Sequence, residues 1–464
     1  TTTAKSISNT WKITALSGGI GLAAIKGTSD PTGAITINNG GTIIVSGKAS
    51  VSPFAPSIGI YTDIANVVNT GNISVGSSGI GIYSNYNGVL TSVQNDNMKI
   101  TGTDGIGVYL KGATSGIVSN NITSTGGKGN TGLVLDGVNS VNINAGSITL
   151  GDESVGILTT NGTASLIDGI ISIGTSSDTK SAIGIVVNAG SNVTVAGTAT
   201  ITTGNRGIGV YSDGAGTTVT VANAGNISVG TDGIYMYSKD ATLNFTGNIT
   251  ANNQIGIVAD GGTINAMGAS TITVQNGGIG AYVKNAAPAF GTTTIAVQAG
   301  NSSEYSMGVY YDGVAALGAA PVITQTGSYT IGMVLNNSTG TTAGGISLGS
   351  AADNNQVGVM AKGNSNLTIA GNISVGGDKN IGVYGESSQI TANGNLSVGN
   401  SSASGNKSTS SIGVSLNGGT YTGAGDISVG DYRIGIFGKG MEVGSVITKG
   451  TGAQTMIDGN DGLG

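Results

Sequence analysis

The sequence predicts an all-β fold, a right-handed parallel β-helix of about 17 rungs of about 26 residues with three short strands per rung. Three observations carry that reading. An apolar-Gly-apolar phrase recurs with a mean spacing of about 26 residues, inside the period range of solenoids. A second phrase, Gly-Asn-Ile-Ser-Val-Gly, recurs in phase with the first at 71–76, 225–230 and 371–376. Apolar residues alternate in runs of four or five between Gly, Asn and Ser turns, and helical periodicity is absent. The hand is that of β-crossover connections.

The first strand of each rung holds the glycine phrase, as in Ile58-Gly59-Ile60, Ile80-Gly81-Ile82, Ile106-Gly107-Val108, Ile381-Gly382-Val383 and Ile434-Gly435-Ile436. Seventeen anchor glycines align from Gly21 to Gly435, with Gly233 taken as the ninth. Residues i and i+2 of a strand share a face, so the positions before and after the anchor are expected to point inward. The position after it is apolar in every rung, and the position before it breaks at Thr131 and Asp232. The anchor and the second and fourth residues beyond it are then expected outside. In that fourth column Lys111/Asp136, Asp260/Lys284, Lys284/Asp312 and Lys362/Glu386 are opposite charges one rung apart, read as register-keeping pairs. The second strand is a short alternating run such as Thr217-Thr218-Val219-Thr220-Val221. The third is the Asn-Ile-Ser-Val phrase, whose Asn72, Asn226, Asn248, Asn372 and Asn395 are expected to stack as a ladder of side-chain amides.

Composition narrows the chemistry. In 464 residues there are 85 Gly, no Cys and no His, with 9% charged residues. Without them there is no imidazole base, thiolate nucleophile, disulfide or His/Cys metal site, so no catalytic residue, cofactor or metal is assigned and the chain reads as a non-enzyme. A net charge of −6 with Arg206 and Arg433 as the only arginines argues against nucleic acid as a partner. Hydrophobic residues make up 38%, enough for a core, and no run of 18 apolar residues suggests a membrane helix. The first thirty residues lack the order of a signal peptide. The whole of 1–464 is read as one continuous β-helical segment of a longer or processed protein.

Two features are candidates for binding. The second position after the anchor is expected to face outward, yet it carries Tyr61, Tyr83, Tyr109, Tyr211, Tyr235, Tyr282, Tyr310, Tyr384 and Phe437. Such a stripe suits a docking face for sugars or proteins; equally, the rings can stack and simply roof the sheet. The second feature is insertion: longer loops near 26–57 and 400–411, with Phe54 and Lys407 as candidate contacts, and smaller ones at Ser177-Asp178-Thr179-Lys180 and Ala287-Pro288-Ala289-Phe290.

These phrases, Gly-Asn-Ile-Ser-Val-Gly and Ile-Gly-Val-Tyr at a period of about 26 residues in a His-free and Cys-free chain, resemble the passenger domains of autotransporter (type V secreted) adhesins, most of all the large fusobacterial outer-membrane adhesins. The resemblance covers about 18–445. It implies a surface-exposed stalk, anchored in the outer membrane by a C-terminal β-barrel outside this segment. The implied partners are host cell-surface receptors or glycans, or other bacteria. A carbohydrate-active β-helix enzyme or a phage-type tailspike is the alternative, since stacked rungs can supply paired carboxylates. A spacer or self-associating rod is the third. Open solenoid ends expose unpaired strands, so flanking repeats or caps are expected beyond Thr1 and Gly464.

Overall fold

Each turn lays down three strands in a fixed order. A glycine strand (Ile58–Thr62) is followed by a middle strand (Ala65–Asn69) and a third strand (Asn72–Val75), and the chain then starts a new glycine strand at Ile80–Gly88. Pairing between turns is parallel, with Ile60 opposite Ile82, Ile82 opposite Val108, Val67 opposite Val93 and Ile73 opposite Met98. The result, in a computed structural model, is a parallel β-solenoid of about 15 turns of about 26 residues. The structure describes residues 5–25, 35–47, 56–88, 93–113, 116–349, 353–399, 410–431, 433–439, 446–449 and 455–457. The candidate contacts Phe54 and Lys407, and most of the two long loops, lie outside the described residues. The chain divides into two units, Thr1–Asn244 and Phe245–Gly464, both built from this turn.

The core of each unit is filled by β-branched and leucine side chains in columns, the residue types that fit a pleated inner surface. In the first unit Ile60, Ile82, Val108 and Leu133 stack one turn apart, facing Ile73, Met98, Ile122 and Ile148 of the third strands, and all are buried. In the second unit Val359, Val383 and Val414 face Ile346, Ile373 and Leu396 in the same way. Middle and third strands sometimes fuse, as in Asn139–Leu150 and Ala164–Ile173, where the register shifts between Asn144 and Ser147.

The anchor glycines face inward, a correction to the outward placement expected from alternation. A Cβ on Gly59 would lie 2.6 Å from the Gly81 carbonyl oxygen and 3.2 Å from Val45 Cγ2, and one on Gly280 would lie 2.5 Å from the Gly308 oxygen and 3.1 Å from Ile295 Cγ2. Two successive residues, the glycine and the one after it, thus face the interior, and the residue before the glycine is left half-buried at most turns. Glycine recurs because the backbones of adjacent turns and the facing third strand close on this point.

A buried amide ladder runs through the first unit, in a different column from the one expected. Asn9 Nδ2 donates to Asn39 Oδ1 at 2.7 Å, Asn39 Nδ2 to Asn69 Oδ1 at 2.6 Å, and Asn69 Nδ2 to Asn95 Oδ1 at 2.7 Å. The asparagines after the turn glycine make one side-chain link of the expected kind, Asn97 Nδ2 donating to Asn72 Oδ1, and otherwise bond to backbone: Asn226 Nδ2 donates to the Gly197 carbonyl at 2.8 Å, Asn372 Oδ1 accepts from Asn395 N at 2.9 Å and Asn395 Oδ1 from Asp426 N at 3.0 Å.

Candidate functional site: the tyrosine face

The outward column two residues past the anchor holds the tyrosines in short runs. Tyr61, Tyr83 and Tyr109 are successive rungs of the first unit, with ring centroids 5.6 and 5.0 Å apart and interplanar angles of 7° and 28°. Tyr282 and Tyr310 form a similar pair at 5.3 Å and 30° in the second unit, with Lys362 Nζ 5.7 Å from the Tyr310 ring centre. Tyr384 stands between Met360 and Ser415, and Phe437, 40% exposed, beside Ser415. The tyrosines of the column are half-buried.

Tyr235 does not belong to this face. The register places Ile208 opposite Ile234, Val210 opposite Met236 and Tyr211 opposite Tyr237, so Tyr235 occupies the anchor position of its turn and is 8% exposed. The true member of the stripe is Tyr237, whose ring meets Tyr211 edge-on at 5.3 Å and 65°. Taking Gly233 as the anchor shifted this rung by two residues, and period-2 alternation kept the shifted pattern plausible. With the register corrected, Ile234 replaces Asp232 before the anchor, and Lys239 pairs with Asp213.

The charged column serves the tyrosines more than itself. Of the four expected ion pairs, Lys284 Nζ and Asp260 Oδ1 meet at 3.6 Å. Lys111 is in register with Asp136, but Asp136 accepts from Tyr109 Oη at 2.7 Å and from Asn161 Nδ2 at 2.5 Å. The same arrangement recurs in the second unit, where Asp312 accepts from Tyr282 Oη at 3.3 Å and from Asn336 Nδ2 at 2.8 Å. Lys362 sits over the Tyr310 ring. Burial, followed by the adjoining carboxylate, pushes the Tyr109 and Tyr282 phenols above their ordinary range and lifts that of Tyr211 to about 12. Each phenol therefore keeps its proton and donates it, which fixes the ring.

The geometry decides which surface is on offer. In the run Tyr61–Tyr83–Tyr109 the ring faces are stacked on one another, so the column presents ring edges and hydroxyls along its length. The face of Tyr61 towards the first turn is opposite Ala23, a side chain too small to cover it. This run is thus a roof over its part of the sheet, with the Tyr61 ring face open at its first end.

Other features escaped the sequence reading. Tyr305 and Tyr329 pack edge-on at 5.7 Å, each three residues ahead of its anchor, an offset that was available in the sequence. In the second unit the third-strand column is interrupted, because Val322–Gln325 ends one sheet and Ile346–Leu348 begins another. A cavity of about 100 Å³ opens between them, floored by Met333 and Val359. Gln325 takes the place that Val297 holds one turn earlier and donates to Thr330 Oγ1 and the Val357 carbonyl, both at 3.1 Å. Its signal was a polar residue in an apolar column. Of the two smaller loops, Asp178 pairs with Arg206 and Lys180 with Asp104 on the surface. Ala287–Ala289 is a middle strand paired with Thr263–Asn265, and Phe290 is buried, because the apolar run continues the core there.

No family model, characterised protein or solved structure matches this chain. Among the described residues no three His, Cys, Asp or Glu side chains gather into a metal-holding group, and no helix is long and apolar enough to cross a membrane.

Proposed function

We propose that this chain is a segment of a bacterial surface adhesin, an autotransporter-type passenger whose β-solenoid displays a lateral binding surface to host cells or to other bacteria. The solenoid has the repeat architecture that the resemblance to such passengers implies, and the observation that carries the binding claim is the tyrosine face. Half-buried rings pinned by Asp136 and Asp312 offer apolar edges and hydroxyls in fixed positions, at little entropic cost to a partner. Anchoring through a membrane barrel outside this segment, and a location at the cell surface, belong to the same proposal. The test is saturable binding of the purified, folded 464-residue segment to epithelial cells and to neighbouring bacterial species, competed by unlabelled segment. Saturation with competition supports the reading; a folded segment that binds neither overturns it for this part of the chain.

A spacer is the second reading, favoured by the same stacked geometry, because rings that cover one another's faces also stabilise the turns they join. It predicts a folded segment without any saturable partner.

A further inference from the structure

The wall of the second unit is open between two of its turns. Through the third strands one parallel ladder runs Thr271–Gln275, Thr294–Val297 and Val322–Gln325 and stops there, and a new ladder starts at Ile346–Leu348. The columns still correspond, since Ile323 lies opposite Ile295 and Ile346 opposite Ile373. Yet Ile323 is half-buried, where Ile295 and Ile373 are fully buried. The described chain between Asp312 and Val322 forms no regular middle strand; Leu317 stands where a side chain on Gly340 of the next turn would be, and Pro321 leads into the third strand. Beyond the gap the turns close again, with Gln356 Nε2 donating to the Gly327 carbonyl at 2.8 Å.

Two strand edges face each other across this gap. Successive residues of a parallel strand bond alternately to its two neighbours. Val322 N and Thr326 N donate back to the Thr293 and Val297 carbonyls, so the N–H and C=O of Ile323 and Gln325 point forward into the gap. Ile346 N donates forward to the Asn372 carbonyl and Leu348 O accepts from Gly376 N, so the N–H and C=O of Ser347 point back into it. Among the described residues no backbone bond joins Val322–Gln325 to Ile346–Leu348. Gln325 adds an acceptor: its Nε2 serves Thr330 Oγ1 and the Val357 carbonyl, and its Oε1 has no partner among the described residues. The gap is the cavity of about 100 Å³, with exposed Val322, Ala343 and Gly344 at its mouth and buried Met333 and Val359 at its floor. Among the described residues, none that lines it is charged.

This lining selects a ligand by chemistry. A charge would enter without a counter-charge, so the ligand is neutral. The volume matches about three waters, or a body smaller than the benzene that a cavity of about 150 Å³ accepts. Both edges present donors and acceptors together, and the group absent between them is a peptide group. We propose that the gap is a binding site for a small secondary amide: its N–H meets the acceptors of Ile323 and Gln325, its carbonyl meets the Ser347 N–H, and its methyl ends rest on Met333 and Val359. The site is separate from the tyrosine face, which lies on the glycine strands, and does not depend on that face binding anything. The amide is either a free small molecule or the acetamido group of a larger one, presented through the mouth.

The chain has eight methionines, so isotopic labelling of their methyl groups gives one NMR reporter at the cavity floor, Met333, with the rest as controls. N-methylacetamide is titrated into the full chain. The expected result is a saturable shift of the Met333 methyl with the other methionines unmoved. Dimethylacetamide, which keeps the carbonyl and lacks the N–H, is expected to bind about tenfold more weakly, because it leaves the cavity's acceptors unpaired. Ser347→Pro removes an N–H that the fold leaves unbonded and is expected to abolish the shift, with exchange protection of Ile373–Val375 retained as the check on folding. Competition by N-acetylglucosamine or by Nε-acetyllysine, and not by glucosamine or lysine, identifies the larger molecule that presents the amide; competition by neither assigns the site to the free amide. A cavity that holds water alone gives no saturable shift at Met333. That result, equal binding of dimethylacetamide, or undiminished binding by a folded Ser347→Pro protein overturns the proposal.

Discussion

Replacing Gly132 by alanine tests the claim that anchor glycines mark a backbone approach and not a turn. Gly132 carries no left-handed φ, so the substitution acts through space alone. Its Cβ would lie 2.7 Å from the Gly156 carbonyl oxygen and 2.7 Å from Ile148 Cγ2, where ordinary contact begins at 3.4 Å. The next turn must give by roughly 0.7 Å at a carbonyl held in the parallel ladder, and overpacking of this kind costs about 1–3 kcal/mol. The loss of unfolded-state freedom returns about 0.4–1 kcal/mol, leaving a destabilisation of about 1–2 kcal/mol. Because each turn depends on its neighbours, the effect is expected first as faster hydrogen exchange in Thr131–Asp136 and Val155–Thr160, and then as a lower urea midpoint by circular dichroism. Gly197→Ala is the control: its nearest obstacles are 3.9 Å away, and it is expected to be neutral or slightly stabilising. If Gly132→Ala exchanges and unfolds like the parent, the close-approach account of the glycine column is wrong.

Other expectations follow from the same contacts. Asn39→Ala removes two links of the buried amide ladder and should destabilise the first turns by about 1–3 kcal/mol, more than Asn95→Ala does at the ladder's end, as read by exchange of the strands on either side. Arg433 is 1% exposed and donates to Asp378 Oδ1 at 2.9 Å, to the Gly399 carbonyl at 3.0 Å and to the Gly377 carbonyl. Arg433→Ala should cost about 3 kcal/mol in local opening of Ile373–Val375 and Leu396–Val398, and lysine should not restore it, since a point charge cannot span the three acceptors. The Tyr211 phenol, raised from 10 to about 12, keeps its proton in the folded state where the unfolded chain loses it. Its contribution to stability is therefore complete below pH 10 and lost as pH rises to about 12. In an absorbance titration of the phenolates, Asp213→Asn should lower that titration, and an unchanged titration would exclude the carboxylate as a cause.

The fold was legible because the solenoid writes its own register into the sequence. The apolar column after the anchor and the in-phase Asn-Ile-Ser-Val phrase fix which residues stack, and Ile60, Ile82 and Val108 sit where they require. What alternation cannot reveal is a break in alternation: the inward anchor glycine looks like an outward residue when every second side chain is assumed to flip. The Tyr235 misplacement has the same root, since a shift by two preserves the period. The buried ladder of Asn39, Asn69 and Asn95 was hidden for another reason, because a buried polar column is stable only when every member is bonded, and that bonding exists only between turns. The candidate face was legible as a stripe. The tyrosines' carboxylate partners were in view as a charged column, and the structure reassigned them from lysine to phenol.

The proposal that the tyrosine face itself binds is tested most directly by replacing Tyr61, Tyr83 and Tyr109 together with serine and comparing cell and bacterial binding with the parent. Exchange protection of Ile60, Ile82 and Val108 certifies that the turns remain folded. Loss of saturable binding by the folded variant is the predicted result; binding unchanged from the parent would contradict it and leave those rings as the roof of the sheet alone.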